Sequence, residues 1–244
     1  MMTTRDQKVD VYTFGPAWGI PVPTPSPFGL KVLTWMRMHE VPYTLHVEND
    51  PGKGPKKKCP WALVGGELLG DSELIIAALK RRLGIEGDTQ LSREQRALAT
   101  ATRLMLEEHY HQVWEHELFI HEGGWARGKE FFDQLPAGIK LVVRTLVRGQ
   151  LRRQLFARGV GRHDHERIVD MGIEVLDSID ALLGDDDYFF GDEPTEVDAS
   201  IFGFLALTHW TPVRSRLWDD FRSRERLVAY CERMRERYFP EGSE

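Results

Sequence analysis

The chain has few cysteines and no long apolar segment. Its two cysteines, Cys59 and Cys231, are far apart and stand in different kinds of segment. This excludes a disulfide framework, a C-x-x-C redox pair and a cysteine zinc site. No run of about 18 apolar residues occurs, so we expect no membrane span. The N-terminal sequence MMTTRDQKVD lacks the apolar stretch of a signal peptide, and a cytoplasmic protein is expected.

The chain also lacks an excess of positive charge. Its formal net charge is −6 and its isoelectric point is about 5.9, so no nucleic-acid partner is expected. Hydrophobic residues make up 41% and charged residues 29%, which is typical of a soluble globular protein. A length of 244 residues suits one large domain or two small ones.

The first third of the chain predicts a mixture of strands and helices. The strand patterns are VDVYTF (9–14), PYTLHVE (42–48), WALV (61–64) and a short piece around Leu68 after the hairpin signal Gly65-Gly66. The helical patterns are SPFGLKVLTWMRMHE (26–40) and DSELIIAALKRRLG (71–84). Glycines and prolines between 15 and 25 predict a loop.

Beyond residue 91 strand signals nearly vanish. Helical patterns cover 92–120, 126–158 with a break near Pro136, 164–183, TEVDASIFGFLALTHW and RERLVAYCERMRERYF. Thr195 and Asp198 form a predicted capping box. We therefore predict an α/β domain over residues 1–84 and an all-α domain over residues 92–244.

Ser26 stands immediately before Pro27 at the predicted start of the first helix. Serine is a favoured N-cap and proline a favoured first helical residue, so a structural role explains the pair. A helix N-terminus also offers free N–H groups and the positive end of a dipole, which stabilise an anion such as a thiolate. The two interpretations are compatible.

Two further dipeptides allow a structural and a functional interpretation. Cys59-Pro60 opens a predicted strand, where the proline is either a simple edge residue or a cis proline that leaves the backbone of Cys59 free for a peptide-like ligand. Asp71-Ser72 either caps the second helix or binds the head group of an amino acid with its carboxylate, hydroxyl and free N–H groups.

The histidine-rich segment EEHYHQVWEHELFIHE contains neither His-x-x-x-His nor H-E-x-x-H. His109 and His116 lie seven residues apart, nearly on one face of a regular helix. Because zinc requires three or four ligands in a tetrahedral arrangement, we expect no metal site and instead a helix that partly faces a cleft.

Acidic residues are absent between Gln134 and His163, where Lys140, Arg144, Arg148 and Arg152 recur every four residues. Such a basic stripe is usually a solvated face. Alternatively, it contacts an anionic partner or a membrane surface.

These features together resemble glutathione transferases, and in particular the failed-axon-connections and metaxin-like branch. The segments that carry the resemblance are SPFGLKVLTWMRMHEVPY, LMLEEHYHQVW, RGVGRHDHERI, YFFGDEPTEVDASIFGFLA and LVAYCERMRERYFP. The resemblance implies a thioredoxin-like N-terminal domain with a mixed sheet, followed by a helical C-terminal domain. It also implies a homodimer.

The resemblance further implies glutathione as co-substrate. Ser26 matches the residue that faces the glutathione sulfur in serine-type transferases. Cys59 precedes the cis-proline position, Pro60, and its backbone would pair with the cysteinyl part of glutathione. Asp71 and Ser72 would hold the γ-glutamyl group.

The remaining contacts are less specific. One of Lys56, Lys57 and Lys58 would contact the glycine carboxylate of glutathione. A cleft for a small electrophilic molecule is expected near Trp18, Phe28, Met105 and His109.

Two functions are consistent with the sequence. The first is a glutathione transferase that activates the glutathione thiolate and conjugates or reduces a small electrophile. The second is a non-catalytic, metaxin-like binding protein that uses the basic stripe for a partner or membrane surface.

Overall fold

The computed structural model describes residues 9–133 and 135–241. Residues 1–8, Gln134 and residues 242–244 lie outside the described residues. Residues 1–8 include most of the N-terminal segment used to exclude a signal peptide.

A four-stranded mixed sheet forms the N-terminal part. Its strands are β1 (Val9–Thr13), β2 (Tyr43–Val47), β3 (Trp61–Val64) and β4 (Glu67–Gly70), in the spatial order β2-β1-β3-β4. β1 is parallel to β2 and antiparallel to β3, which is antiparallel to β4. This is the predicted thioredoxin-like arrangement. The hairpin between β3 and β4 turns at Gly65 and Gly66, whose φ angles of +58° and +90° favour glycine.

Two helices pack against this sheet. They are α1 (Pro27–Met38) and α2 (Ser72–Leu83). α1 buries apolar side chains around most of its circumference, including Leu30, Leu33 and Trp35. α2 ends at Gly84, whose left-handed conformation with φ of +69° is a common helix C-terminus. Both helices are at the predicted positions to within two residues.

The rest of the chain is helical. The elements are α3 (Arg93–Leu104), a π-helical stretch (Met105–Tyr110), α4 (His111–Glu115), a second π-helical stretch (His116–Ile120), α5 (Glu122–Gly128), a 3₁₀ helix (Lys129–Phe132), α6 (Ala137–Arg158), α7 (His165–Leu183), α8 (Glu196–Trp210), α9 (Arg216–Ser223) and α10 (Glu225–Tyr238). The predicted regular helix over 92–120 is thus interrupted by two wider turns, and α9 was not predicted. In the described part of the chain, no helix is long and apolar enough to cross a membrane.

The N-terminal and helical parts meet mainly where α1 lies against α8. A Cβ atom on Gly203 of α8 would lie 2.5 Å from the carbonyl oxygen of Pro27, so only glycine allows this approach. Lys31 of α1 is 1% exposed and forms ion pairs with Glu73 of α2 and Glu107 of the first π-helical stretch. The contact between the N-terminal and helical parts is extensive and includes ion pairs as well as apolar side chains. The domain boundary near residues 85–91 stays a prediction.

The capping box at the start of α8 is confirmed. The buried carboxylate of Asp198 accepts hydrogen bonds from the N–H of Thr195 at 2.7 Å, the N–H of Phe189 at 3.2 Å and the hydroxyl of Tyr230 at 3.0 Å. Burial raises the pKa of Asp198 to about 6, and these donors counteract the rise. The carboxylate therefore joins α8, the preceding loop and α10.

Glu196, also at the start of α8, connects it to both helices of the N-terminal part. Its carboxylate accepts hydrogen bonds from Trp35 at 2.9 Å and Lys80 at 2.7 Å, while its backbone N–H donates to Asp88. Burial opposes ionisation, but the contact with His39 and the hydrogen bonds from Lys80 and Trp35 outweigh it and lower the pKa of Glu196 to about 2.

We predict that Asp198→Ala lowers the free energy of unfolding by about 2–4 kcal/mol, because it leaves several buried donors without an acceptor. Urea denaturation followed by circular dichroism measures the change. The exposed Asp186→Ala is the matched control and should change stability by less than about 0.5 kcal/mol. Equal effects of the two substitutions would refute a special role for Asp198.

We predict that Glu196→Gln destabilises the protein by about 1–3 kcal/mol at neutral pH, allowing for partial solvent screening. Since folding lowers the pKa of Glu196, its stabilisation is complete above the unfolded value of 4.5 and is lost as the pH falls toward about 2. Urea denaturation at about pH 7 and about pH 3.5 should therefore give a smaller difference from wild type at the lower pH. The exposed Glu86→Gln serves as control, and a pH-independent difference would contradict the assignment.

Candidate functional site

One edge of the sheet collects the predicted glutathione-contact residues. In the strand register Tyr12 of β1 faces Trp61 of β3, and Trp61 faces Gly70 of β4. The residues just beyond these positions are the end of β1, the Cys59-Pro60 dipeptide before β3, and Asp71 after β4. α1 begins at this edge as well, since a Cβ atom on Gly29 would lie 2.3 Å from Oγ1 of Thr13.

Ser26 is the N-cap of α1, as one of the two interpretations predicted. Its Oγ accepts a hydrogen bond of 3.1 Å from the N–H of Gly29, and its own N–H donates to Oγ1 of Thr24. The side chain is 5% exposed. Because the Oγ acts as acceptor in the cap, its O–H remains able to donate to an anion at the same helix N-terminus.

The peptide bond between Cys59 and Pro60 is cis, as predicted. Cys59 precedes the first paired residue of β3, Trp61, so its backbone stands at the end of the ladder. Burial raises the pKa of the Cys59 thiol to about 12, and the nearby carboxylates of Glu48 and Asp50 add to the rise. Near neutral pH this thiol is protonated and a poor nucleophile.

Asp71 and Ser72 open α2, and Asp71 is its N-cap. The Asp71 carboxylate accepts from the N–H groups of Glu73 and Leu74, and its φ of +95° is unusual for a residue other than glycine. Ser72 is 5% exposed. Among the three candidate lysines, Lys56 lies closest to this pair by its contact with the Asp71 carboxylate, at 3.5 Å.

The loop between β1 and α1 covers this edge and reaches the helical part. Trp18 donates its indole N–H to the carbonyl of Arg127 in α5 at 3.0 Å and stacks obliquely on Phe131. Ile20 and Val22 of the loop are fully buried. The segment that leads to Ser26 is therefore held in place by α5 and the 3₁₀ helix.

Two of the predicted cleft residues, Trp18 and Phe28, are joined by a row of ring contacts. This aromatic row, with centroid separations of 5.0–6.4 Å, consists of Trp18, Phe131, Phe119, Trp114, His111 and Phe28. Met105 and His109 lie half-buried on the first π-helical stretch and are not part of the row. Burial lowers the pKa of His111, so this ring is neutral near pH 7.

Sequence reasoning missed Phe131, Phe119 and His111 of the aromatic row. The helical pattern placed His109 in the cleft, whereas His111 contacts Phe28. The two π-helical stretches shift the direction of side chains relative to a regular helix, so the period of 3.6 does not hold across them. The clustering of aromatic residues in this segment was the available signal.

A cleft of about 680 Å³ lies elsewhere, between α1, α2, α3 and α8. Charged and polar residues line it, among them Glu73, Lys80, Arg103 and Ser200. Glu73, which lines this cleft, directly follows Ser72 in the chain, so the cleft adjoins the predicted γ-glutamyl position. Trp18, Phe28, Met105 and His109 do not line it.

The predicted basic stripe on α6 is largely engaged within the chain. Lys140 and Arg144 pair with Asp133, and Arg144 also donates to the carbonyl of Lys129. Arg148 pairs with Glu122 and donates to the carbonyl of Ile120. These contacts attach α6 to the preceding segments and weaken the stripe as a free anion-binding surface.

α6 instead exposes apolar side chains. Its exposed apolar row consists of Leu141, Val142, Leu146 and Phe156, with exposed fractions from 56% to 72%. Large contiguous exposed apolar patches often mark interaction sites.

Family comparisons agree with this geometry. A family model described as the Glutathione S-transferase N-terminal domain matches residues 27–124, and one described as the Glutathione S-transferase, C-terminal domain matches residues 172–234. Together they cover about two thirds of the chain. The chain belongs to the glutathione S-transferase superfamily. The predicted family and fold are confirmed.

Curated relatives of this superfamily member include proteins with different names. "Failed axon connections" of Drosophila melanogaster is 27% identical over 91% of this chain, which spans 56% of the length of that protein. "Isoprene-epoxide--glutathione S-transferase" of Rhodococcus sp. is 26% identical over 94% of this chain and 99% of that protein. "Metaxin-1" of Bos taurus is 26% identical over 95% of this chain and 75% of that protein. The similarity therefore includes the predicted branch.

Solved glutathione transferase structures share the fold. A beta-etherase from Sphingobium sp. superposes with a TM-score of 0.65 at 14% identity, covering 96% of this chain and 97% of that one. A glutathione S-transferase from Methylobacterium radiotolerans, solved in complex with glutathione sulfonate, superposes with a TM-score of 0.60 at 16% identity. The match covers 96% of this chain and 93% of that one.

We predict that Cys59 is alkylated by iodoacetamide at least about 100-fold more slowly than an unperturbed cysteine thiol at neutral pH, because little thiolate is present. Quantitative peptide mass spectrometry of the native protein measures the rate. The same protein unfolded in urea is the control, and there Cys59 should react at the ordinary rate. Rapid native labelling would contradict the raised pKa.

Proposed function

We propose that this protein is a glutathione transferase of serine type, acting on a small electrophile. The observation that carries the proposal is the sheet edge: the N-terminus of α1 with Ser26, the cis Cys59-Pro60 bond and the N-terminus of α2 with Asp71-Ser72 meet there. These are the positions at which the family resemblance expects the sulfur, the cysteinyl backbone and the γ-glutamyl group.

Glutathione binding is proposed to use mainly backbone groups and two helix N-termini. The backbone of Cys59 pairs with the cysteinyl unit of glutathione. The carboxylate of Asp71 and the hydroxyl and N–H of Ser72 hold the γ-glutamyl head group. Lys56, which contacts Asp71 at 3.5 Å, supplies a cation at the same edge.

The chemistry needs an ionised thiol. The dipole at the start of α1 favours the thiolate over the thiol, and the Ser26 O–H donates a hydrogen bond to the sulfur. The thiolate attacks an electrophilic carbon and a C–S bond forms. The electron pair of the broken bond goes to the displaced group or, in an epoxide, to the ring oxygen, which stays attached and takes a proton from water. The protein supplies ionisation and proximity, and the thiolate supplies the nucleophile.

We propose that the electrophile lies against the aromatic row, between Trp18 and Phe28. Rings from both parts of the chain offer an apolar wall, and His111 within it is neutral. The relative named for isoprene epoxide supports small epoxides as one substrate class to test. Since Ser26 is 5% exposed, the Trp18 loop has to shift for the thiol to approach.

We predict that Ser26→Ala lowers kcat/KM for glutathione conjugation by roughly 10- to 100-fold, because the donor to the thiolate is removed, while glutathione binding changes little. Conjugation of 1-chloro-2,4-dinitrobenzene and of small epoxides measures activity, and calorimetry measures binding. In the variant, the pH at which activity is half-maximal should rise.

Ser92→Ala is the matched control. Ser92 caps α3 through a 3.1 Å hydrogen bond from the N–H of Gln95, the same kind of contact that Ser26 makes. Each substitution costs about 0.5–2 kcal/mol as a lost cap, so a stability effect alone would appear in both variants. Full activity of Ser26→Ala, or an equal loss in Ser92→Ala, would reject Ser26 as the thiolate donor.

A second candidate is a non-catalytic binding role, favoured by the exposed apolar row of α6 and by the relatives named metaxin. A flat calorimetric titration with glutathione, together with retention of a protein partner that Leu141→Ser and Leu146→Ser abolish, would favour this role. Glutathione binding and turnover would favour the first. The homodimer and the cytoplasmic location expected from the sequence stay predictions.

A further inference from the structure

A cluster of two histidines and one glutamate lies outside the proposed glutathione site. Glu117 belongs to the second π-helical stretch, His121 precedes α5, and His165 is the first residue of α7. One ligand atom from each residue lies within 4.8 Å of those from the other two. The imidazole rings of His121 and His165 stack with centroids 3.7 Å apart. The second π-helical stretch, the residue that follows it and the start of α7 thus bring three metal-binding groups close together.

Three polar atoms of this cluster have no hydrogen-bond partner within the described residues, although Oε1 of Glu117 lies 3.3 Å from Nδ1 of His116. Oε2 of Glu117, Nδ1 of His121 and Nε2 of His165 are shielded and have no hydrogen-bond partner among residues 9–133 and 135–241. Nε2 of His165 lies 2.9 Å from Oε1 of Glu117, but the ring N–H is not aligned for a hydrogen bond. The side chain of Glu117 is 0% exposed. Buried polar atoms without partners are rare and call for an explanation such as a bound ion.

Close packing holds the three segments in place. A Cβ atom on Gly124 of α5 would lie 1.7 Å from the carbonyl oxygen of Glu117, so α5 folds directly back onto the second π-helical stretch. A Cβ atom on Gly128 would lie 2.2 Å from the carbonyl oxygen of Leu118. The N-cap Asp164 starts α7 just before His165. The backbone positions of the three candidate metal ligands are therefore fixed by the packing of neighbouring helix ends.

We propose that Glu117, His121 and His165 bind one zinc ion. Two imidazoles and one carboxylate are a ligand set that zinc uses with three protein ligands, which leaves a fourth position for water. Ligand atoms around a tetrahedral zinc ion are about 3.4 Å apart, so the stacked rings of His121 and His165 have to rotate until one nitrogen of each points at the ion. Hard ions such as Mg²⁺ and Ca²⁺ prefer all-oxygen sets and fit less well.

This inference departs from the sequence expectation of no metal site. The three ligands do not form a short His-x-x-x-His pattern, because His165 comes 44 positions after His121 along the chain. The inference does not depend on glutathione binding, since none of its ligands belongs to the sheet edge.

The test is zinc titration of the full chain after removal of any affinity tag and of bound metal with a chelator. Against a chromogenic competitor, wild type should bind about one zinc ion per chain with a dissociation constant below about 1 µM. Glu117→Gln and His165→Ala should each weaken binding by about 100-fold or more, since even residues that only support metal ligands cost about 10- to 100-fold. Mg²⁺ and Ca²⁺ should not compete.

Two control variants and two further readouts complete the design. Glu108→Gln removes an exposed carboxylate from the first π-helical stretch, and His46→Ala removes a half-exposed imidazole from β2; both should bind zinc as wild type does. Zinc should raise the melting temperature of wild type and of both controls, but not of the ligand variants. Co²⁺ in place of zinc should give visible absorption typical of a tetrahedral site.

The competing explanation is that Glu117 is only an ion-pair partner of His116 and His165. In that case wild type binds no zinc in the micromolar range, or the ligand variants bind it as tightly as wild type. Either result overturns the proposal. Circular dichroism of each variant establishes that it is folded, and Glu117→Gln, which keeps the side-chain shape, provides the test if His165→Ala does not fold.

Discussion

The buried ammonium group of Lys31 is the interaction on which the arrangement of the two parts depends. It lies on α1, and its charge is balanced by Glu73 on α2 and Glu107 on the first π-helical stretch, with Ser200 of α8 donating to Glu107. Removing one partner from such a buried group leaves an uncompensated charge, which costs far more than the pair contributes. The cluster therefore fixes α1 against α2 and α8, and with them the N-termini that form the sheet edge.

The candidate site is made of element ends rather than of a reactive side chain. The thiol of Cys59 is protonated near neutral pH, and Ser26 already serves as a cap. What remains for catalysis is oriented backbone N–H groups and a hydroxyl, which act on the charge of a bound thiol. The loop that carries Trp18 joins this edge to α5 and to Phe131 of the aromatic row.

Much of the fold could be predicted because its signals are local. The Gly65-Gly66 hairpin, the cap and terminus of α2 and the Thr195–Asp198 box each depend on residues within a few positions of one another. The glutathione-contact roles expected at the sheet edge came from the family resemblance. Local patterns carry no information on the burial of Lys31 or on the meeting of Glu117 with His165, because these contacts join segments that are distant in sequence and depend on how helices pack.

The two π-helical stretches have a consequence for comparing this protein with its relatives. A wider turn accommodates one more residue than a regular helical turn, so positions after it are rotated relative to a helix without it. A homologue with a uniform helix over 105–120 would need a one-residue gap at each of the two stretches to bring equivalent side chains into line. Ungapped alignment there would set Glu117 beside a non-equivalent position, and only superposed backbones identify its true counterpart.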